Sequence, residues 1–294
     1  MRKIIVFLKP QQSFTGKRKT GLISASLVTY HNPKDEVKSV IDTFLNSSLE
    51  SILFVVDNSS DSMLQEICSN ERIVYIYNEA NLGFGTGHNI AIKRAISMDI
   101  KFHFILNPDV KYDPGVIEIL VSKMNSDPSI GAIMPKVLNI DHSIQYLPKL
   151  LPSPFLLLVR TIRPFRWLFK KQYGKYVLAK YEDIELSVPT LSGCFSLYSL
   201  DALKEVGLFN EKFFMYFEDT DLSRRVHKSY KTIYFPSVTI LHVHTRGAAK
   251  EFSLFKIFAK SAITYFNKYG WFFDKERRSI NREVLQQLSE IKSH

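Results

Sequence analysis

Between Leu22 and Leu138 the apolar residues switch repeatedly between two periods, and that switching restricts the fold more than any other feature of the chain. "LISASLVTY" (22–30) reads as a strand. Val37, Val40, Ile41, Phe44 and Leu45 then fall at i, i+3, i+4, i+7 and i+8, the stripe of an amphipathic helix. "SILFVV" (51–56), "IVYIY" (73–77), "FHFIL" (102–106) and "GAIMPKVL" (131–138) read as further strands, with helices expected over 62–69, 88–98 and 114–124. This alternation predicts an α/β fold with a doubly wound, mostly parallel sheet. In such sheets ligands collect at the carboxyl ends of the strands. Here those ends are polar: Thr29-Tyr30, Asp57-Asn58, "NEANLGFGTGHN" and Asn107-Pro108-Asp109.

The second half is less regular. "TLSGCFSLYS" (190–199) reads as a strand, and "TIYFPSVTILHVH" (232–244) as strand, turn and strand. Phe255, Phe258, Ala259, Ala262, Ile263 and Phe266 mark another amphipathic helix, and a charged helix is expected over 274–292. The predicted division is a basic extension over 1–20, a main domain over 21–246 and a C-terminal helical, membrane-proximal segment over 247–294. Within the main domain, 148–180 reads as a basic, apolar surface insertion.

Composition narrows the partners. The net charge of +10 points to a polyanionic or membrane-surface partner. No helix-turn-helix, RNP or zinc pattern supports nucleic acid. The cysteines, Cys68 and Cys194, are far apart and without metal-finger spacing, and fit a reducing, cytosolic setting. The apolar run Ile4 to Leu8 is too short for a secretory signal, and "FLLLV" (155–159) falls far below the ~20 residues of a spanning helix. Lys149, Arg160, Arg163, Arg166, Lys170, Lys171, Lys175 and Lys180 alternate with apolar and aromatic residues, a mixture suited to an anionic membrane and equally to a solvated basic face.

Four motifs carry chemistry. "NLGFGTGHN" (81–89) is neither a dinucleotide fingerprint nor a P-loop, since His88 stands where a third glycine belongs, but its glycines permit close approach to a ligand. In "LNPDV" (106–110) Asp109 suits a hard divalent cation, and Asn-Pro-Asp equally suits a turn. In "EDTDLSRR" (218–225) the acids fit the first turn of a helix, and Asp221 with Arg225 is an i,i+4 pair. The aromatic run Phe213 to Phe217 ahead of them would raise the pKa of an acid held against it, as a general base requires. His242 and His244 in "LHVHTR" share one side of a strand and could include a metal ligand.

In this order, "SLVTYHN", "VVDNSS", "NLGFGTGHN", "LNPDV", "LSGCFSLYSLDALKEVGLFNEKFFMYFEDTDLSRR" and "LHVHTRG" resemble the family 2 glycosyltransferases of the GT-A fold. Within that family the chain looks most similar to bacterial rhamnosyltransferases of O-antigen and other surface polysaccharide synthesis. The resemblance covers about Leu22 to Arg246; residues 1–20 and 148–180 match none of its motifs. It implies Asp219 as catalytic base and Asp109, with His242 or His244, as ligands of Mg2+ or Mn2+. It implies Thr29, Tyr30 and Asp57 around the base of the nucleotide, and Asn81, Gly83 and Asn107 along it. Leu191, Ser192 and Gly193 would border the donor sugar and acceptor, with Glu218 and Arg225 on the donor side. The donor expected is dTDP-L-rhamnose, and the acceptor a polyprenyl-diphosphate-linked glycan. The setting expected is the inner face of the bacterial plasma membrane, with a homodimer as the one protein partner considered. The alternatives are another hexose from a UDP- or GDP-sugar, a sugar-phosphate nucleotidyltransferase, and a non-catalytic nucleotide-binding scaffold.

Overall fold

The computed structural model describes residues 5–7, 21–161, 167–243 and 251–291. In chain order the first half holds β1 (Ile5–Phe7), β2 (Ile23–Thr29), α1 (Lys34–Leu45), β3 (Ser51–Asp57), β4 (Ile73–Tyr77), α2 (Phe84–Ser97), β5 (Phe102–Leu106), β6 (Val110–Lys111), α3 (Gly115–Ser126) and β7 (Ile130–Leu138). The second half holds α4 (Pro154–Thr161), α5 (Lys170–Tyr176), β8 (Leu186–Ser187), β9 (Phe195–Ser199), α6 (Leu200–Val206), α7 (Glu218–His227), β10 (Lys231–His242), α8 (Glu251–Tyr269) and α9 (Lys275–Ile291).

The strands form one sheet in the order β1-β4-β3-β2-β5-β9-β7-β10-β6, with β8 on β10. β4, β3, β2 and β5 are parallel neighbours, and their near-continuous apolar runs reflect cover on both faces. One face packs on α1 and α3, where Val37, Val40, Ile41, Phe44 and Leu45 are all buried as their spacing predicts. The other packs on α2, α6, α7 and α9.

β9 runs antiparallel to both β5 and β7, so β7 points the same way as β5, and β10 lies parallel to β7. His242, at the end of β10, therefore shares a rim with Asn107, just past β5. The strand, turn and strand expected over 232–244 is one strand through His242, whose register against β7 shifts between Phe235 and Thr239. Pro236 falls in that irregularity, where its missing N–H costs no ladder bond.

Two regions expected to lie apart are joined to the domain. Ile5–Phe7 of the basic extension pairs antiparallel with β4. The insertion over 148–180 contributes Leu150, Tyr176, Val177 and Leu178 to the core on the α2 face, so it is not purely a surface element. The C-terminal helices are anchored through Arg224 of α7. Its guanidinium, 1% exposed, donates to Asp274 at 2.7 and 2.8 Å, to Glu276 at 2.7 and 2.9 Å, and to the Tyr265 hydroxyl at 3.2 Å. No helix among the described residues is long and apolar enough to cross a membrane.

Candidate active site

The ends of β2, β3 and β4 are locked together by one carboxylate. Asp57 is fully buried; Oδ1 accepts from Thr29 Oγ1 at 3.2 Å and from the Ser59 N–H at 3.0 Å. The Tyr75 hydroxyl donates to Oδ2 at 2.8 Å, and burial together with this bond pushes that hydroxyl well above its usual range. Asn78 donates to Asn58 at 2.8 Å, and Asn58 donates to the Gly83 carbonyl at 3.3 Å, which carries the network to α2. Tyr30 is exposed at the lip. Sequence places Asp57 on the base edge of a nucleotide; in this conformation its side chain is enclosed by protein, and Tyr30 is the residue presented to solvent.

The glycine run serves packing first. α2 begins at Phe84, earlier than its sequence suggests, so Gly85 and Gly87 lie inside the helix against Phe209 and Val28. Asn81 Oδ1 accepts from the Gly83 N–H at 3.0 Å, and Gly83 has φ +84°. A Cβ there would stand 2.3 Å from the Phe214 carbonyl oxygen, which already accepts from the Phe84 N–H at 2.9 Å. The first N–H of α2 thus binds the aromatic turn and is taken from any anion. That turn is strained: Tyr216 and Phe217 both have positive φ, 70° and 68°, at about 1–2 kcal/mol each. The Phe258 ring lies 5.8 and 5.5 Å from those of Tyr216 and Phe217, and Tyr265 lies 5.3 Å from Phe217, so α8 clamps the turn.

The turn delivers Glu218 and Asp219 to the start of α7 with opposite fates. Asp219 is half-buried; Oδ2 accepts from the Gly193 N–H at 3.2 Å and Oδ1 from the Thr220 N–H at 2.6 Å. Gly193 is demanded by Phe84, whose ring carbon would lie 2.9 Å from a Cβ. Glu218 is the acid held in apolar surroundings: burial first, then the neighbouring Asp219, raises its carboxyl well above the usual range, and its buried Oε2 has no hydrogen-bond partner. Asp221 accepts from Arg225 at 3.0 Å, from Tyr269 at 2.8 Å and from Lys268. It joins α7 to α8.

Asp109 and His242 meet across the rim, Oδ1 to Nε2, at 3.2 Å. Gln145 donates through its amide nitrogen to Asn139 at 2.8 Å and to the His242 carbonyl at 3.0 Å. Its Oε1 therefore faces His242 Nδ1 at 3.0 Å, so that a neutral imidazole protonated at Nδ1 would turn its Nε2 lone pair toward Asp109. Asp109 Oδ1 is buried without a hydrogen-bond donor. In that tautomer the pair would offer two ligands to a divalent cation, Mg2+ or Mn2+, although no group of three His, Cys, Asp or Glu side chains is assembled among the described residues. His244 lies outside the described residues.

The Ser192-Gly193-Cys194 turn connects the two acid sites. The Asn107 N–H donates to the Cys194 carbonyl at 2.9 Å while Gly193 binds Asp219. Burial pushes the Cys194 thiol up to about 12, and Asp109 and Asp219 both push it the same way. Asp219 and the Asn107-Pro108-Asp109 strand end are therefore both tied to this one turn. Arg225, placed by sequence on the donor, is withdrawn into the fold: besides Asp221 it donates to the carbonyls of Val206, Gly207 and Leu208 at 2.6–2.8 Å, capping α6. Gln145 was missed as a site residue. It sits in no periodic or motif-like stretch, and the folding back of the chain after β7 brings it to His242.

A family model described as glycosyl transferase family 2 matches residues 26–207. A curated N-acetylglucosaminyl-diphospho-decaprenol L-rhamnosyltransferase from Mycobacterium tuberculosis is 32% identical over 184 residues, 57% of this chain and 58% of that protein. The chain thus spans less than two thirds of that relative's length. Among solved structures, the GalNAc-T7 complex with UDP, GalNAc and Mn2+ aligns at TM-score 0.57 and 12% identity, covering 77% of this chain and 44% of that one. The mannosyltransferase PcManGT from Pyrobaculum calidifontis, with GDP-Man and Mn2+, aligns at TM-score 0.54 and 13% identity over 91% of this chain and 75% of that one. At these identities the structural likeness concerns the fold alone.

Proposed function

The chain belongs to glycosyl transferase family 2, and from that premise we propose that it is an inverting enzyme moving L-rhamnose from dTDP-L-rhamnose to a polyprenyl-diphosphate-linked glycan. That it is a glycosyltransferase follows from the family; donor and acceptor are the reading favoured by the 32% identical relative, which acts on a diphospho-decaprenol substrate. The observation that carries the mechanism is that Asp219 and the strand end bearing Asp109 are hydrogen-bonded to the same Ser192-Gly193-Cys194 turn.

Asp219 takes the proton of the acceptor hydroxyl at Oδ2 as that oxygen attacks the anomeric carbon, a contribution of about 10²–10⁴-fold for such bases. Gly193 and Thr220 N–H groups hold the carboxylate in place. Asp109 and His242 would hold a divalent cation, which when bound would supply positive charge to stabilise a leaving diphosphate. Phe214 and Tyr216, on the turn leading into the acid pair, would shield a bound donor from water.

The setting proposed is the inner face of a bacterial plasma membrane. Exposed Trp167, Leu168, Phe272 and Phe273 lie on the helices and turns that border a groove lined by Lys175, Arg277, Arg278 and Arg282. Apolar anchors beside clustered cations suit anionic lipid.

The test is incubation with dTDP-, UDP- and GDP-sugars and Mn2+, reading nucleoside diphosphate release and the anomeric configuration of the product. The expected result is selective release from one donor with inversion. Release from none of them, or retention of configuration, would overturn the proposal.

A further inference from the structure

Two cations, half-buried Lys149 and exposed Arg160, lie on segments packed against the turns that hold Asp219. Lys149 sits opposite Thr190 in an antiparallel bridge, three residues short of the glycine that binds Asp219. Arg160, on α4, lies 5.5 Å from the centre of the Phe258 ring, the ring that also touches Tyr216 and Phe217. Neither makes an ion pair among the described residues, whereas Lys123, Lys136 and Lys231 are each within 2.9 Å of an acid. Burial, then the nearby Arg160 guanidinium, pushes the Lys149 ammonium down to about 8, with Asp219 pulling the other way. Holding two like charges close together is unfavourable unless an anion joins them.

We propose that Lys149 and Arg160 form the binding site for the diphosphate of a lipid-linked acceptor. The proposal rests on the reading of Asp219 as base. An inverting displacement expels the nucleoside diphosphate opposite the base, so cations on the Asp219 side face the acceptor. α4 also supplies a path for the lipid: Phe155 and Leu158 are exposed on the helix that carries Arg160, and the Phe155 ring lies 5.1 Å from that of Phe169, next to exposed Trp167 and Leu168. Leu157 meanwhile faces inward with Phe213 and Phe217, fixing the helix to the catalytic turn.

Geranyl diphosphate tests this directly, titrated by calorimetry into the full chain in EDTA so that no metal is held at Asp109 and His242. Wild type and Asp109→Asn should bind it equally. Lys149→Gln and Arg160→Gln should each weaken it at least about tenfold, the loss of one charge-assisted hydrogen bond. Lys149→Arg should restore binding, which guards against a merely misfolded glutamine variant. Geraniol should bind weakly and respond to neither substitution. No binding in EDTA, or binding abolished by Asp109→Asn and retained by Lys149→Gln, would overturn the assignment. Nucleotide-sugar turnover by wild type is read in a separate assay, so failure of the transferase reading is distinct from failure of this site.

Discussion

The rim formed by β2, β3 and β4 and the rim formed by β5, β10 and α7 handle polar groups in opposite ways. On the first, Asp57 alone accepts three hydrogen bonds and Asn58 and Asn78 extend the network, with Asn78 Oδ1 left without a hydrogen-bond partner. On the second, Asp109 Oδ1 and Glu218 Oε2 are buried without a hydrogen-bond partner, and Lys149 and Arg160 enter no ion pair within 4.0 Å among the described residues. The first is scaffolding in which uncharged groups and one carboxylate are largely satisfied by protein. The second keeps unsatisfied polar groups at the site proposed for the reaction, and it relies on α8 and α9 for support. Functional sites often retain such local cost, supported by the structure around them.

The comparison breaks first if that support is not needed. Arg224→Met leaves Asp274 buried beside an uncharged neighbour and should cost about 3–5 kcal/mol, read by urea unfolding. An unchanged midpoint would mean α9 is not anchored as described. Gly83→Ala joins the two rims by another route. It combines a positive φ with a clash on the Phe214 carbonyl, and should cost about 2–4 kcal/mol while displacing the strained turn and lowering kcat.

Glu218→Gln sharpens the contrast through pH. A carboxyl whose folded pKa is raised contributes stability below its unfolded pKa and loses it as pH rises through the folded value. The wild-type melting temperature should therefore fall relative to Glu218→Gln from about pH 4.5 upward, with the variant at least as stable at neutral pH. A constant difference across that window would contradict a buried, unpartnered acid. The smallest effect expected is on acceptor KM. With Lys149 pushed down to about 8, KM for a diphosphate-linked acceptor should stay flat below that pH and rise a few-fold above it, and Lys149→Gln should lack the rise.

The difference between the rims also explains what could be read from sequence. Each strand end of the first follows directly from a local pattern, and the stripe from Val37 to Leu45 became α1 with every member buried. Asp109 and Asp219 were legible as acids in context, since each sits just past an apolar or aromatic run. Sequence misplaced Arg225 because an arginine beside acids looks the same whether it faces a ligand or caps α6. It credited Gly83, Gly85 and Gly87 to ligand approach because the partners that need the space, Phe214, Phe209 and Val28, are distant in the chain or hidden by secondary structure. It took 148–180 for surface because basic residues mask the burial of Leu150, Tyr176 and Val177. Gln145, which orients His242, carries no local signal at all.

The central claim is that Asp109 and Asp219 act at opposite ends of the bond being broken. Single-turnover kinetics of Asp219→Asn with saturating nucleotide sugar and Mn2+, alongside equilibrium binding of both, separates positions that bind from positions that react. The account predicts donor and Mn2+ affinity near wild type with transfer slowed by about 10²–10⁴-fold. Transfer at close to the wild-type rate with donor fully bound would contradict it.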